Sequence, residues 1–413
     1  MFQSFTGNSR RPRQVNLGGR NTNPFAAYPS GRQNPHGAGP QNTLAIAQQE
    51  RLARQQERER LTASRLVQRT WRGYRSRKIT RRTWRNEWDT TEKKQGKDHV
   101  PSFEILAQQP DVVLEPSLRY GTAADCLSQL RLLVQFLEPW DSGDIARLVY
   151  FSEAFQRTLH EVPSIATEGE WTTPLKKLAS LTLRVLRSVT SPTVPVFAVQ
   201  HLLQLLVFLT GLIPKHMARL AKEYYSVMVI LTTDFESIST RYKLSRDSLT
   251  ESVLALLRPI TSETLTAYEW FAKIYLTIPN LPEYIGSLDG LANNINYKLL
   301  TSALGPLQTL FGDRPKSAED VDARLWLLAY FIFFHRCALG GQTGRPAPEP
   351  GFVKVVSELL NSTAVHISRR LESEESNDYD EAPEQTPLHP FIKEQLVSLV
   401  NQSNITGLLS QLH

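Results

Sequence analysis

Residues 43–89 contain no proline and a single glycine, Gly73, in a stretch dominated by Arg, Gln, Glu, Leu and Ala. These residue types lose little side-chain freedom in a helix, and nothing in the run interrupts the backbone hydrogen-bond ladder. The stretch therefore predicts one long basic amphipathic helix. Its first half is polar, which predicts ion pairs such as Glu57 with basic neighbours three or four positions away. A helix of that kind is either solvated or held along its length by a partner.

The flanks differ. Residues 1–42 are rich in Gly, Pro, Asn, Gln and Arg. Too little apolar surface is available there to offset the entropy of ordering, so a disordered basic tail is expected. Residues 90–102 form a polar stretch expected to be a linker. From 103 to 413 the pattern is that of a packed helical body, with helices expected over roughly 122–138, 143–160, 174–189, 195–211, 215–231, 247–258, 261–277, 293–310, 317–337, 351–370, 389–400 and 403–411. Phe352, Val356, Leu359, Leu360, Ile367 and Leu371 are spaced to form one apolar stripe on a helix. Pro163, Pro192, Pro195, Pro214, Pro259, Pro279, Pro282 and Pro315 mostly fall between such runs. Ser317 and Asp320 resemble a capping box at the start of a long apolar helix. Alternation of the strand type is confined to residues 193–199. The expected fold class is all-α, an irregular helical array; a solenoid-like arrangement stays open, although no fixed repeat period emerges. Mobile loops are expected near 340–351 and 372–387, the second with seven carboxylates between Glu372 and Glu384.

The formal net charge of +6 hides a division. Residues 1–100 hold 21 Lys and Arg against 7 Asp and Glu, whereas the rest hold 26 against 34. Arguments about partners therefore start from the first quarter of the chain. Cys126 and Cys337 are the only cysteines, which excludes a disulfide-rich scaffold or a Cys-based zinc module and suits a reducing compartment. The first 40 residues hold no apolar stretch of signal-peptide length, and the most apolar runs, Leu202–Ile213 and Leu325–Phe334, are far shorter than a spanning helix. The expectation is a soluble protein, cytoplasmic or nuclear, without membrane contact.

One segment carries recognition chemistry. Val67-Gln68-Arg69-Thr70-Trp71-Arg72-Gly73-Tyr74-Arg75-Ser76-Arg77 satisfies every fixed position of the IQ motif. Val67, Trp71 and Tyr74 lie at i, i+4 and i+7, on one helical face suited to an apolar groove. Gln68 can hydrogen-bond a partner's backbone, and Arg72 and Arg77 offer forked donors to carboxylates. Gly73 lets a partner's backbone approach closely, at a cost of about 1 kcal/mol in helix propensity. The chemistry fits an EF-hand protein such as calmodulin. Three other readings stay open: Val67, Trp71, Trp84 and Trp88 dock the helix on the protein's own body, the basic aromatic face meets nucleic acid, or it meets another anionic surface.

No constellation points to catalysis or to a cofactor. His335 and Cys337 are two positions apart, and side chains so spaced on a helix diverge. Cys337 is expected to be a buried thiol. The nine histidines show no metal-ligand spacing, and no phosphate-binding loop or nucleophile elbow is present. Glu153, Glu161, Glu168 and Glu170 read as a solvated face, and Trp326, Tyr330, Phe331, Phe333 and Phe334 as core.

Taken together, several segments resemble the amino-terminal half of the IQ-containing HECT-type ubiquitin ligases of the proteasome-associated class, in a fungal version. They are Met1-Phe2 with Phe5, Gly7 and Val15-Asn16-Leu17-Gly18-Gly19, the basic helix 50–78, the turn Thr277–Pro282, and Pro387–Thr406. The resemblance implies an intact protein that passes ubiquitin through a cysteine thioester to a substrate lysine. It implies partners of three kinds: substrates, an EF-hand protein and the proteasome. A HECT unit is carboxy-terminal and has its cysteine in Thr-Cys surroundings, which neither Cys126 nor Cys337 shows. No catalytic residue carries over, and the HECT domain is expected to be absent from this chain. The alternative is a free-standing calmodulin-binding scaffold.

Overall fold

A computed structural model describes residues 40–94, 103–108, 119–159, 169–191, 193–312, 314–340, 349–375 and 387–401. The expectations for the tail before residue 40, most of both loops, Glu161, Glu168 and the segment beyond 401 lie outside the described residues. The chain divides into two units, residues 1–75 and 76–413.

Helix α1 (Pro40–Lys94) begins in the first unit and ends in the second. It runs five residues into the stretch expected as a linker. Trp88 and Glu92, four positions apart, are both completely buried, so packing carries the helix past its polar end. In the first unit every side chain from Gln48 to Arg72 is exposed. The local ion pair joins Arg54 to Glu50 at 3.0 Å, rather than involving Glu57 as expected, and Gln55 donates to Glu59 at 3.0 Å.

The second unit is all-α; no strand occurs among its described residues. It opens with α2 (Phe103–Leu106), α3 (Ala123–Phe136), α4 (Ser142–Leu159), α5 (Gly169–Arg187) and α6 (Ala198–Leu212). Thr122 caps α3 by accepting from the Asp125 amide, which satisfies one orphan donor of the first turn. Residues 145–152 of α4 are buried on every side, because α2, α3 and α6 all pack on it. Of residues 193–199, the best strand candidate, 193–197 form turns and bends and the last two, Ala198 and Val199, already belong to α6.

The region expected as one helix over 215–231 is broken into α7 (Pro214–Arg219) and α8 (Ala221–Thr233). Leu220 leaves helical geometry there, with its amide shared between the carbonyls of His216 and Met217. α9 (Phe235–Tyr242) was not expected; it ends at Lys243, a left-handed residue with φ 54°. α10 (Arg246–Ala255) follows, then α11 (Thr264–Trp270), which widens into a π turn at Phe271–Tyr275. α12 (Leu281–Ile285) and α13 (Asp289–Ala292) are short. The stretch expected as a helix over 293–310 is split into α14 (Tyr297–Leu304) and α15 (Leu307–Phe311). Pro306 supplies no amide donor at the break.

α16 (Ala318–Leu339) starts at Ser317, whose hydroxyl accepts from the Asp320 amide at 3.2 Å, as the capping pattern predicts. α17 (Pro350–Glu375) and α18 (Pro390–Asn401) pack against it. Phe352, Val356 and Leu359 are buried, Leu360 and Ile367 half-buried, and Leu371 exposed, so the predicted stripe meets the core for its first half. Tyr330 on α16 holds the Thr277–Pro282 turn. Its hydroxyl donates to the Ile278 carbonyl at 2.9 Å and accepts from the Leu281 amide at 2.7 Å. One hydrophobic core runs from Trp88 to Leu399.

Candidate functional site

The IQ residues divide between the units, with Val67 to Tyr74 in the first and Arg77 just inside the second. In a helix the spacing of Val67, Trp71 and Tyr74 keeps them on one face. All three are exposed, at 66%, 56% and 57%, although large apolar side chains are usually covered. Gln68, Arg72 and Arg77 are also exposed, and Gly73 is half-buried within its own helix. The Arg75 guanidinium lies over the Trp71 ring, 5.4 Å from its centroid, where the negative face of the ring attracts a cation. No carboxylate occurs between Glu59 and Glu87. Seven cations from Arg60 to Lys78 are exposed, and none is paired with a carboxylate among the described residues. The result is an apolar strip flanked by unneutralised charge.

Further along the same helix the situation reverses. Trp84 is half-buried and Trp88 fully buried. The Trp88 ring sits 5.4 Å from Phe103, 6.3 Å from Phe136 and 6.2 Å from Tyr150, in tilted and edge-on contacts that suit ring quadrupoles. Polar rungs flank this anchor. Arg81 pairs with Glu138. Arg85 grips Asp144 with both arms of its fork, at 2.7 and 2.6 Å. Arg147 donates two bonds of 2.9 Å to Asp89 and one of 3.0 Å to Asp144, and lies 4.9 Å from the Phe103 centroid. Tyr120 donates to Glu92 at 3.1 Å. Burial pushes the Asp144 carboxyl above the ordinary carboxylate range, and the Arg85 guanidinium opposes that shift.

The tryptophans therefore do two different jobs. Trp84 and Trp88 dock on the second unit's own body, whereas Val67 and Trp71 are left uncovered by the described residues. The docking cations Arg81 and Arg85 were not singled out from sequence, where a charged residue on a basic helix reads as solvated. A signal was present: positions 81, 85, 88 and 92 keep the three-and-four spacing of one helical face.

The side chains set aside on sequence grounds resolve as follows. His335 is buried and stacks on Phe352, with centroids 3.7 Å apart, and burial lowers its pKa to about 4. Cys337 is half-buried rather than buried, while Cys126 is buried and its thiol is pushed far up by desolvation. Glu153 is not on a solvated face; it is engaged by His201 and by Arg157, and His201 holds its carboxyl below the usual range. Glu170 is exposed and pairs with Arg131 at 3.0 Å. Of the aromatic group on α16, Trp326, Tyr330, Phe331 and Phe334 are core, and Phe333 is half-buried.

Among the described residues no three His, Cys, Asp or Glu side chains gather in a way that could hold a metal ion. No described helix is long and apolar enough to cross a membrane. No family model, no curated protein and no solved structure matches this chain.

Proposed function

We propose that this chain is a protein-holding region whose basic helix captures an acidic EF-hand protein such as calmodulin. We further propose, on the resemblance described above, that it serves as the pre-catalytic targeting half of a HECT-type ubiquitin ligase. One observation carries the first part. Val67, Trp71 and Tyr74 stand exposed at groove-anchoring spacing within a run of seven unneutralised cations. Burying three such side chains contributes roughly 1.5–3 kcal/mol each, enough for firm binding once ordering costs are met. Arg72 and Arg77 add forked bonds to carboxylates, and the Gln68 amide fixes register on the partner's backbone. In the second part, the helical body presents substrates and the thioester chemistry is supplied elsewhere. Neither cysteine suits that chemistry: Cys126 is buried with its thiolate disfavoured, and burial also raises Cys337.

Calmodulin titrated into the full chain, with and without Ca²⁺, tests the first part. Gln68→Ala with Arg72→Ala is expected to weaken binding at least about tenfold, the equivalent of one charge-assisted bond. Equal affinity for both forms would remove the motif's role. For the second part, the chain is used as bait for ubiquitin-conjugated proteins and proteasome particles. Capture of neither, by a chain that still binds calmodulin, leaves the free-standing scaffold.

A further inference from the structure

A second recognition surface lies far along the sequence from the basic helix, between α15, the start of α16 and one face of α17. It is a cavity of about 560 Å³, within the range of small-molecule sites. Arg314, Arg324 and Arg369 line it, with Asn361, Ser362 and Glu358. On α17, positions 358, 361, 362 and 369 recur at helical spacing, so one face of that helix is given to the cavity while Phe352, Val355, Val356 and Leu359 face the core.

The charge balance is what makes the cavity unusual. Arg324 is buried, with its side chain only 3% exposed. One of its terminal nitrogens donates to the carbonyls of Phe311 (2.8 Å) and Gly312 (3.3 Å), closing the end of α15. The same nitrogen pairs with Asp320 at 3.5 Å, a carboxylate that is itself partly solvated. The buried Nε–H has no hydrogen-bond partner among the described residues. An unsatisfied donor on a buried cation costs about 1–3 kcal/mol or more, so Arg324 keeps positive charge beside the cavity that is only partly compensated. Arg314 and Arg369 are exposed at the mouth and have no carboxylate partner among the described residues. Glu358, the one carboxylate in the lining, has the Lys354 ammonium at 3.9 Å.

We infer that this cavity binds the phosphate groups of a small organic polyphosphate. Arg314 and Arg369 bring two planar guanidinium groups to the mouth of a cavity that Arg324 also lines, which matches oxyanions bearing several acceptor oxygens. The Asn361 amide is an additional donor beside them, and the Ser362 hydroxyl, which donates to the Leu359 carbonyl, can accept from a polyol. A concave cavity of this size admits a small molecule, whereas a peptide needs an extended groove or sheet edge.

Isothermal titration of the full chain at physiological salt, with inorganic pyrophosphate in one arm and inositol hexakisphosphate in another, tests this inference. One equivalent is expected to bind in each arm, and tighter binding of the polyol phosphate identifies an organic source. Arg314→Gln with Arg369→Gln, both on exposed side chains, is expected to weaken binding by about a hundredfold, tenfold per lost charge-assisted contact. Arg184→Gln with Arg187→Gln, an equal charge change on α5, leaves it unaltered. Circular dichroism confirms that both variants are folded. No binding in either arm would overturn the inference. So would binding that survives the Arg314/Arg369 change, or tighter binding of a phosphoserine peptide than of pyrophosphate.

Discussion

At the level of single residues, the second unit holds its boldest electrostatic arrangement where α1 meets α4. Arg147 is 2% exposed and shares two carboxylates, one of which, Asp144, is wholly buried. Removing one member of a buried network leaves an uncompensated charge behind. Arg147→Met is therefore expected to cost about 3–5 kcal/mol, read as a lower urea midpoint. His335 makes a different prediction. Its folded-state pKa of about 4 lies below the ordinary 6.5, so the folded state prefers the neutral ring. Stability it contributes is fully present above pH 6.5 and is lost as pH falls from 6.5 through 4. The full span is roughly 3 kcal/mol at one proton and 1.36 kcal/mol per pH unit. His335→Phe keeps a ring against Phe352 and has no proton to take up. Its unfolding free energy should stay flatter than that of the parent between pH 6.5 and 4. Parallel curves would show that His335 is not the titrating group.

At the level of elements, what was legible in the sequence was what depends on local chemistry. The proline-free run gave the long helix, Ser317 and Asp320 gave the start of α16, and apolar spacing gave α3 to α6 within a few residues. What escaped depends on tertiary context. The extension of α1 to Lys94 requires knowing that Trp88 and Glu92 meet Phe103 and Tyr120, which lie beyond the polar stretch after the helix. The break at Leu220 and the π turn at Phe271–Tyr275 fall in uniformly good helical sequence, where packing rather than propensity sets the geometry. The IQ residues were legible because their identities and spacing are fixed by a motif, whereas Arg81 and Arg85 look like any other cations. Gly73 offers a test within α1. An exposed helix gains about 1 kcal/mol when an interior glycine becomes alanine. Gly73→Ala should therefore slow amide exchange around residues 66–80. If a partner's backbone needs the space above Gly73, the same change should weaken calmodulin binding despite the stiffer helix. Tighter binding would show that helix formation, not close approach, limits the affinity.

For the whole molecule, the division of charge and the division into units lead to one consequence for folding. The first unit contributes no buried side chain between Gln48 and Arg72, so those residues exchange almost no apolar surface with water on folding. They owe their helical state to propensity and local pairs such as Arg54 with Glu50, which are worth only tenths of a kcal/mol when exposed. From Arg81 onward the same helix supplies a fully buried indole, a buried carboxylate and cations held by Glu138 and Asp144. A chain starting at Ser76 should thus melt within a degree or two of the full chain, because stability resides in the core from Trp88 to Leu399. A chain starting at residue 95 loses Trp88 as well as Arg85 and Asp89, and leaves Asp144 and Arg147 buried beside each other without their outer partners. Deleting a buried Trp side chain alone costs about 3–5 kcal/mol, and the stranded ions add to that. Calorimetry of the three chains separates the cases. Equal melting for all three would show that the α1 anchor is dispensable. An early loss on removing residues 1–75 would show that the exposed half of the helix is structural, and its uncovered face would then need an explanation other than a partner.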